Sequence, residues 1–407
     1  MNLTQDGSSV GKSGVQEVVI DCEPEDGCKE IHMSRMGLTV GVLCVIGLAC
    51  GGVAPISSPQ PSPADALPSS DQPNTKRQGH KGIALADGKI LFFGGFSDDT
   101  AAELYDPSSG RWLTLDSSRG RSRTSAVTLL DGRVLLINGY GQQDADPYDD
   151  TWRPKPYAEV FDPKDLRFTR VSPPSTASAH EQAVQLKDGR VLLWGCSETG
   201  TAHVEVYEAT KDAWSVQAGP PDCSSSSRMV SVEEGAMLTA GFQGPNYLFD
   251  AATNAWKTTA PSPLTRQAEA LRLPDNRVLV MGRPYASEKG PHAAVYDVVT
   301  DQWVPTGPLS RVFKDSINST FALVNQQGRV LLLGGSLERP PRCTATVESL
   351  DLTSLTWSSV RPLSQARSTH SANVLNDGTL LIYGGYGTSP DSGECRVLRG
   401  DYEIYSP

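Results

Sequence analysis

One short pattern recurs seven times between Arg77 and Pro407, and it restricts the possible folds more than any other feature of the chain. Each copy has a polar pair such as Asp-Gly, which favours the positive φ of a tight hairpin turn, followed by an apolar run that ends at glycine. The turns lie 41 to 57 residues apart, a period typical of repeat architectures. They are Asp87-Gly88, Asp131-Gly132, Asp188-Gly189, Glu234-Gly235, Asp275-Asn276, Gln327-Gly328 and Asp377-Gly378.

Two further landmarks follow the glycines in most copies. A third predicted strand carries an aromatic residue near its end, as in ELYD at Glu103 and EVFD at Glu159. Each copy is thus predicted to form four antiparallel strands, and neighbouring copies must pack together because one such unit cannot bury its own faces. Six copies place an aromatic residue on the fourth strand: Trp112, Phe168, Trp214, Trp256, Trp303 and Trp357.

The order of a glycine doublet, then a Tyr, then a Trp resembles the kelch repeat, and the resemblance covers residues 77–407. It implies an all-β fold, a seven-bladed kelch-like β-propeller with one copy per blade. In such a propeller, the connections between second and third strands and those between blades open on one side, which we call the loop face. Kelch proteins include copper-radical oxidases, but the Tyr-His pair that these need is absent here, so we expect no cofactor and no metal.

The seventh copy lacks a fourth strand of its own, because only Ser406 and Pro407 follow its third strand. An open third strand would leave backbone groups unpaired. We therefore expect a segment within Ala64 to Asn74 to pair beside Glu403 to Tyr405. A three-stranded last blade is the alternative.

The N-terminal part of the chain is organised differently. Residues 1–32 are acidic and have no apolar period, so we interpret them as a non-native or disordered leader. Residues 33–50 follow the order of a secretory signal, with Arg35, a thirteen-residue apolar run and then Cys50. Their end resembles a bacterial lipoprotein processing site, with Cys50 as the lipidated residue, although a larger aliphatic residue is usual at Gly47.

A retained membrane anchor is the alternative for this segment, but Pro55 and Pro59 cut the apolar run short of the ~20 residues that a spanning helix needs. Residues 51–76 are rich in proline and serine and are expected to form an extended tether. We therefore predict an exported protein of the bacterial cell envelope, either an outer-membrane lipoprotein or periplasmic. Its formal net charge of −11 argues against a nucleic-acid partner.

Four cysteines lie within the predicted propeller: Cys196, Cys223, Cys343 and Cys395. In the propeller that the resemblance implies, all four lie on the loop face. Because an exported compartment favours disulfides, we expect Cys196 to pair with Cys223 and Cys343 to pair with Cys395, each joining neighbouring connections. Zinc is the alternative, but neither CxxC nor His-rich spacing accompanies the cysteines.

The longest connection runs from Gly139 to Ala158 and inserts Tyr140, Tyr148 and Trp152 among aspartates. Aromatic rings mixed with carboxylates suit a sugar- or peptide-binding surface, because rings supply contact area at a low entropy cost. The DxDxxDD spacing would also suit calcium. A solvated acidic loop is the simplest interpretation. Further candidate binding residues on the loop face are Arg283, Tyr285, Arg342 and Tyr386.

Arginines stand where first strands begin, and in a ring these positions converge on the mouth of the central channel. There a guanidinium group could clamp a carboxylate or an acidic peptide, and Arg121 and Arg367 are candidates for this role. Alternatively, each arginine packs its stem and pairs with a neighbouring acid. The full set is Arg77, Arg121, Arg266, Arg311 and Arg367.

Three histidines stand near the starts of their copies: His80, His180 and His370. A polar residue there can bond to the neighbouring blade, which favours a structural over a catalytic role. No GxSxG elbow, P-loop or GxGxxG motif occurs, so we predict no catalytic residue. The chain is interpreted as an exported binding module for a protein or carbohydrate ligand. The alternatives are a sugar-modifying enzyme such as a mutarotase and a component of a surface assembly.

Overall fold

The structure is a computed structural model, and it describes residues 67–95, 102–115, 123–139, 156–178, 181–197, 201–221, 223–224, 227–240, 244–284, 292–310, 321–336 and 342–407. All of them belong to the compact unit that runs from Gln60 to Pro407. Across these ranges the chain forms strands, turns and connections, and no helix there is long and apolar enough to cross a membrane. The all-β class predicted from the sequence is confirmed.

The strands are short, and most have four or five residues. In chain order they are β1 (Ser69–Ser70), β2 (Lys81–Ala84), β3 (Ile90–Phe93), β4 (Ala102–Asp106), β5 (Arg111–Leu115), β6 (Ser125–Thr128), β7 (Val134–Ile137), β8 (Ala158–Asp162), β9 (Arg167–Arg170), β10 (Gln182–Gln185), β11 (Val191–Cys196), β12 (Ala202–Glu208), β13 (Ala213–Gln217), β14 (Met229–Val232), β15 (Gly235–Leu238), β16 (Tyr247–Asp250), β17 (Ala255–Thr258), β18 (Leu264–Arg272), β19 (Val278–Pro284), β20 (Ala293–Asp297), β21 (Gln302–Pro305), β22 (Ala322–Gln326), β23 (Arg329–Leu333), β24 (Val347–Asp351), β25 (Trp357–Val360), β26 (Arg367–Ser368), β27 (Ser371–Val374), β28 (Leu380–Tyr383), β29 (Tyr386–Thr388), β30 (Cys395–Leu398) and β31 (Tyr402–Tyr405).

Among the described residues these strands form eight antiparallel sheets, and seven of the sheets follow the sequence copies. We number those seven in chain order. Sheet 1 is β1-β5-β4-β3-β2, sheets 2 to 6 are β6 to β9, β10 to β13, β14 to β17, β18 to β21 and β22 to β25, and sheet 7 is β27-β28-β31. The eighth sheet, β26-β29-β30, contains one half of a cystine, and we call it the cystine sheet.

The hairpin of the last copy shows why the Asp-Gly turn recurs. Gly378 adopts a φ of 83°, which a residue with a side chain rarely adopts. The carboxylate of Asp377 accepts a hydrogen bond from the backbone N–H of Thr379 at 2.9 Å, which holds the turn between β27 and β28. The local chemistry of two residues therefore sets the register, so that Val374 lies opposite Leu380.

Burial changes systematically across each sheet. Most second strands are completely buried, as in β3, β7 and β28. The first strands are only partly buried, and all four residues of β10 are intermediate. The fourth strands of sheets 2 to 6 are mostly exposed or partly exposed, as in β17 and β21, whereas β5 of sheet 1 is mostly buried. This gradient places the second and third strands in the core and leaves both the first and the fourth strands bordering water.

Seven clusters of buried apolar side chains lie between the sheets, within the described part of the chain. Each cluster joins two sheets: sheets 1 and 2, 2 and 3, 3 and 4, 4 and 5, 5 and 6, and 6 and 7. The seventh cluster joins sheet 7 to sheet 1, packing Leu381 and Tyr383 against Phe92 and Trp112. Every one of these sheets thus buries both faces against a neighbour, which a single sheet could not do.

The fourth-strand tryptophans also join consecutive copies. Four of them pack against an aromatic residue on their own third strand, as Trp303 does on Tyr296 with ring centroids 4.9 Å apart. Three of these four also donate an indole N–H to the backbone of the connection that precedes their copy, and Trp303 reaches Ala260 O at 3.0 Å. Trp214 and Trp256 do the same with Ser172 O and Ala218 O. The kelch-like Trp is therefore a hydrogen-bonded joint between copies as well as core.

The outer strands differ from the expectation at the ends of the chain. Sheet 7 has three strands in the described residues, and β1 pairs with β5 of sheet 1 rather than beside β31. The backbone of Pro68 accepts from Thr114 N at 3.1 Å, and Leu67 packs on the cluster between sheets 1 and 2. Residues 67–74 therefore do not form the expected pairing beside Glu403 to Tyr405, and for them the prediction is wrong, whereas residues 64–66 lie outside the described residues. Residues 67–76, which the sequence assigned to the tether, lie against the folded sheets.

Candidate functional site

The glycine doublets explain how the backbone turns at the loop face. Gly384 and Gly385 have φ values of 65° and 85°, and a Cβ atom on Gly384 would lie 2.6 Å from Arg77 O. Gly385 N donates to the same Arg77 O at 2.7 Å, and in the preceding copy Gly335 N donates to Arg367 O at the same distance. The doublet of one copy therefore holds the first arginine of the next, and this contact needs glycine for space.

Arg77 and Arg367 fit the second of the two interpretations offered for the arginines at the starts of first strands. Each is only 1 % exposed. Arg77 Nε lies 3.1 Å from Glu103 Oε2, and Arg367 lies 3.1 Å from a carboxylate oxygen of Asp401. Both guanidinium groups are bonded inside the protein, so Arg367 does not belong to an exposed binding surface.

Glu103 lies at the centre of a buried network around Arg77. It accepts hydrogen bonds from the backbone of Asn74 at 2.6 Å and from the hydroxyl of Tyr383 at 2.9 Å. Burial and the negative charge of Glu103 raise the pKa of Tyr383, which therefore stays protonated and donates. The network ties the N-terminal segment, sheet 1 and sheet 7 together.

The cystine sheet brings several residues singled out in the sequence to one place on the loop face. Its strand β26 contains Arg367, β29 begins at Tyr386, and β30 begins at Cys395. Cys395 is bonded to Cys343, with 4.9 Å between the Cα atoms, and Cys343 Sγ lies 3.1 Å from Tyr386 O. The second cystine joins Cys196 to Cys223 across 5.7 Å between Cα atoms.

Two arginines are sequence neighbours of the half-cystines on this surface. Arg342 precedes Cys343 and is exposed, and Arg396 follows Cys395 with 61 % of its side chain exposed. Arg396 pairs with Glu394 at 3.0 Å, and Val397 beside it is an exposed large apolar residue. The cystine thus joins the segment of Arg342 to strand β30, which contains Arg396 and Val397 and pairs with the strand of Tyr386.

Other predicted residues fall beyond what the structure describes. The loop residues Tyr140, Tyr148 and Trp152 lie outside the described residues, as do Arg121 and Tyr285. Arg283 lies on β19, but its side chain is not among those described. Their roles in ligand binding remain predictions, as does that of Cys50.

Besides the arginines, other polar residues lie at or next to the N-terminal ends of the first strands. His80 Nε2 lies 2.8 Å from Ser371 Oγ and so joins sheet 1 to sheet 7. Ser125 Oγ donates to Glu181 O at 2.7 Å, from sheet 2 to sheet 3. Gln182 Nε2 donates to Ser227 O at 2.5 Å, from sheet 3 toward sheet 4. These bonds support the structural interpretation of the polar residues at the starts of the copies.

His80 is also electrostatically suited to a structural role. Burial, the positive charge of Arg77 and that of His370 lower the pKa of His80 well below its usual value. Its ring packs edge-on against Tyr383, with centroids 4.8 Å apart. The imidazole is therefore neutral at physiological pH and serves as packing with one hydrogen bond to Ser371.

Three charged residues at or next to the first strands were not singled out in the sequence. Arg228 Nε lies 3.6 Å from Glu269 Oε2, and both side chains are partly exposed. The side chain of Lys81 reaches solvent, although protein surrounds it. The surrounding protein lowers the pKa of Lys81, the negative charge of Glu269 raises it, and the positive charge of Arg228 lowers it. One signal was available in the sequence, since Arg228 takes the place in its copy that His80 takes in the first.

In the described residues no group of three His, Cys, Asp or Glu side chains could hold a metal ion.

Comparisons with known proteins agree with the repeat pattern. No family model matches the chain. Beta-scruin of Limulus polyphemus is 22 % identical over 288 residues, which cover 64 % of this chain and 31 % of beta-scruin. Kelch-like protein 36 of Bos taurus is 24 % identical over 307 residues, which cover 70 % of this chain and 48 % of that protein. The chain thus spans less than half the length of these curated relatives.

A solved structure shares the fold at low sequence identity. It is a fungal alcohol oxidase of the AA5 family in complex with copper, with a TM-score of 0.61 and 16 % identity, covering 84 % of this chain and 76 % of the oxidase. Identity this low carries the fold and not the activity. The chain is therefore distantly similar to kelch-repeat proteins, and its described part is an all-β fold of antiparallel sheets consistent with a kelch β-propeller.

Proposed function

We propose that the chain from residue 67 to Pro407 is a closed seven-bladed kelch-like β-propeller that binds a protein partner through its loop face. The seven clusters between sheets support closure, because the last cluster packs sheet 7 on sheet 1. The backbone bond from Gly385 to Arg77 repeats at this joint the bond made between sheets 6 and 7. A closed ring gives a rigid platform on which connections can carry binding residues.

The cystine sheet is the observation that carries the binding role. A covalent link joins the segment of Arg342 to the strand of Arg396 and Val397, which pairs with the strand of Tyr386, and we expect side chains from these segments to contact the partner. Arginine, tyrosine and an exposed apolar residue are typical of the residues that dominate protein interfaces. A surface ordered before binding loses less conformational entropy when the partner docks.

The test compares two charge reversals on opposite faces of the full chain. We expect R342E/R396E to lose the proteins that the native chain retains from an extract of its own host, whereas K187E retains them. Lys187 is an exposed control beside the turn between β10 and β11, away from the glycine ends. Equal retention by both variants would exclude the cystine sheet as the binding surface.

An enzymatic role is the alternative, and the shared fold with an alcohol oxidase is the observation that keeps it open. A glycan array and turnover assays on any sugar that binds distinguish the two. Binding of a protein without turnover supports the module. Turnover of a bound sugar would support the enzyme, and a glycan bound without turnover would make the ligand a carbohydrate.

We also propose, from the sequence order alone, that residues 33–50 direct export and that Cys50 carries a lipid in the cell envelope. Residues 51–66 would then separate the folded domain from the membrane. Mass spectrometry of the mature N-terminus tests this, with a lipidated Cys50 as the expected result. An unmodified N-terminus elsewhere, or a C50A variant that stays in the membrane fraction, would contradict it.

A further inference from the structure

The seven first strands can be aligned by their pairing with the second strands, and one residue of each lies at the same level. These residues lie opposite Phe93, Ile137, Trp194, Leu238, Met281, Leu333 and Tyr383, respectively. They are Lys81, Ser125, Gln182, Met229, Glu269, Ala322 and Ser371. In the closed ring they surround one end of the central channel, on the loop face.

The uncharged polar members of this level are already used. Ser125 and Gln182 bond to the backbone of the neighbouring sheets, and Ser371 bonds to His80. Gln182 Oε1 also accepts from Met229 N at 2.7 Å, so both ends of its amide are satisfied. Lys81 and Glu269 are the charged members of this level, and Arg228, which is bonded to Ser227 O and paired with Glu269, lies next to it.

Hydrogen bonds of its backbone and of its guanidinium group hold Arg228 in place. Its N–H donates to Thr239 Oγ1 at 2.9 Å, and its guanidinium donates to Ser227 O at 3.1 Å. The ion pair with Glu269 is long at 3.6 Å, and both side chains are between a quarter and a third exposed. Such a pair in contact with water is weak and can be opened by a competing anion.

Lys81 comes to this pair from another part of the ring. It lies on sheet 1, whereas Arg228 directly precedes the first strand of sheet 4 and Glu269 lies on sheet 5, and the charges of both act on its ammonium group. The ammonium makes no hydrogen bond or ion pair with a described residue. Two cations and one carboxylate leave this group with a net positive charge in a chain of formal charge −11.

We infer that the loop-face end of the channel is a binding site for a carboxylate group, held between Lys81 and Arg228, with Glu269 as the internal competitor that occupies Arg228 in its absence. The site requires the closed ring proposed above. An anion there would pair with the ammonium of Lys81, and protein walls strengthen that attraction relative to open water. The carboxylate can belong to a small acid or to an acidic side chain that a partner inserts.

The test is calorimetric titration of the full chain with acetate, succinate and a blocked pentapeptide containing a central Glu, with the central Gln peptide as the neutral match. We expect at least one carboxylate probe to bind and the Gln peptide not to bind. Binding of succinate alone indicates a small acid, and binding of the Glu peptide alone indicates a partner side chain. The absence of binding by all three carboxylate probes would overturn the assignment.

The variants are expected to change the carboxylate affinity in opposite directions, whereas unfolding could only weaken binding. Removal of one charged donor in K81M or R228M should weaken binding about tenfold or more, and K81R should restore most of it. E269Q should tighten binding, because the competing carboxylate is gone. K187M, on the opposite face, should bind as the native chain does. If K81M bound normally or E269Q bound more weakly, the carboxylate site would be wrong.

The carboxylate site and the protein-binding role can be tested separately, so that either can fail without the other. Loss of partner retention in R342E/R396E with unchanged succinate or peptide binding would locate the two activities in different places. A K81M variant that retains protein partners while losing the carboxylate would do the same from the other side. Unchanged thermal unfolding midpoints of K81M, R228M and E269Q show that the ring is intact in each comparison.

Discussion

The backbone N–H of Gly385 donates a hydrogen bond of 2.7 Å to the carbonyl oxygen of Arg77, which joins the last copy of the repeat to the first. Gly335 and Arg367 make the same contact, at the same distance, between the sixth and seventh copies. The joint between the ends of the chain is thus built like an internal one. We therefore expect the contact between Gly385 and Arg77 to contribute to the free energy of unfolding as the internal contact does.

Replacement of Gly384 by alanine should destabilise the protein strongly. The residue has a positive φ of 65°, and the added Cβ would lie 2.6 Å from Arg77 O, so strain and a backbone clash act together. We expect a loss of about 3 kcal/mol in the free energy of unfolding, measured in urea. Gly110→Ala has a similar φ of 70° but meets nothing within 4 Å, so it should lose only about 1 kcal/mol. Equal losses in the two variants would contradict the role of the contact.

Replacement of Arg77 by methionine tests the buried network. It leaves the carboxylate of Glu103 buried without its guanidinium partner, which typically costs about 3–5 kcal/mol. Arg111→Met breaks an exposed pair with Asp71, 3.5 Å long, and should cost less than about 1 kcal/mol. The two variants are compared by chemical unfolding. A small effect of Arg77→Met would mean that water or a rearranged donor satisfies Glu103.

Protonation of His80 should make stability fall in mild acid. Because its pKa is lower in the folded protein than the usual ~6.5 of the unfolded chain, the unfolded state binds the proton more readily below that value. The contribution of His80 is complete above about pH 6.5 and is lost as the pH falls toward its folded pKa, with a slope approaching about 1.4 kcal/mol per pH unit. Unfolding free energies between pH 5 and 7.5 check this, and His80→Gln should flatten that part of the curve. An unchanged slope in His80→Gln would assign the effect to another group.

The two disulfides should be separable by their local effects. Peptide mapping without reduction is expected to recover Cys196 linked to Cys223 and Cys343 linked to Cys395. The double variant C343S/C395S should lose about 2–4 kcal/mol and expose the amides of β29 and β30 to hydrogen exchange. C196S/C223S should leave those amides protected. Crossed pairs or free thiols would reject the connectivity.

Truncation should locate the start of the folded domain. A chain beginning at Leu67 retains β1, whereas a chain beginning at Gln72 loses the pairing of Ser69 and Ser70 with Leu113 and Trp112. We expect the shorter chain to unfold about 2 °C lower or more, since a loss of 1 kcal/mol shifts the midpoint by roughly that amount at this size. Identical midpoints would mean that β1 adds nothing to sheet 1.

The parts of the fold that could be predicted from sequence are those set by neighbouring residues. Asp377 and Gly378 determine their turn by a side-chain bond and a positive φ, so the hairpin around them is readable without knowledge of the rest. The same holds for the aromatic pairs, because Tyr296 and Trp303 are joined by one tight turn. Repetition then indicates the architecture, since each unit needs a neighbour.

What could not be predicted depends on contacts between distant segments. The strand β1 has two serines and no apolar pattern, and its position follows from the free edge of β5, which the sequence does not reveal. Arg367 could equally have faced a ligand, and only the position of Asp401 decides that it is buried. The charges of Glu269 and Arg228 influence Lys81 from sheets that are far apart in the chain, a relationship that the repeat pattern does not reveal.

The added strand on sheet 1 and the three-stranded sheet 7 have a mechanical meaning. No strand crosses from one of these sheets to the other, so the seam is held by side chains and a few backbone bonds, whereas a covalent connection crosses each of the other joints between consecutive sheets. The strands nearest the two chain ends, β1 and β31, lie on opposite sides of this seam. In the closed ring proposed above, tension applied through those ends would load the seam first, and we expect the ring to open there while the other six joints are still intact.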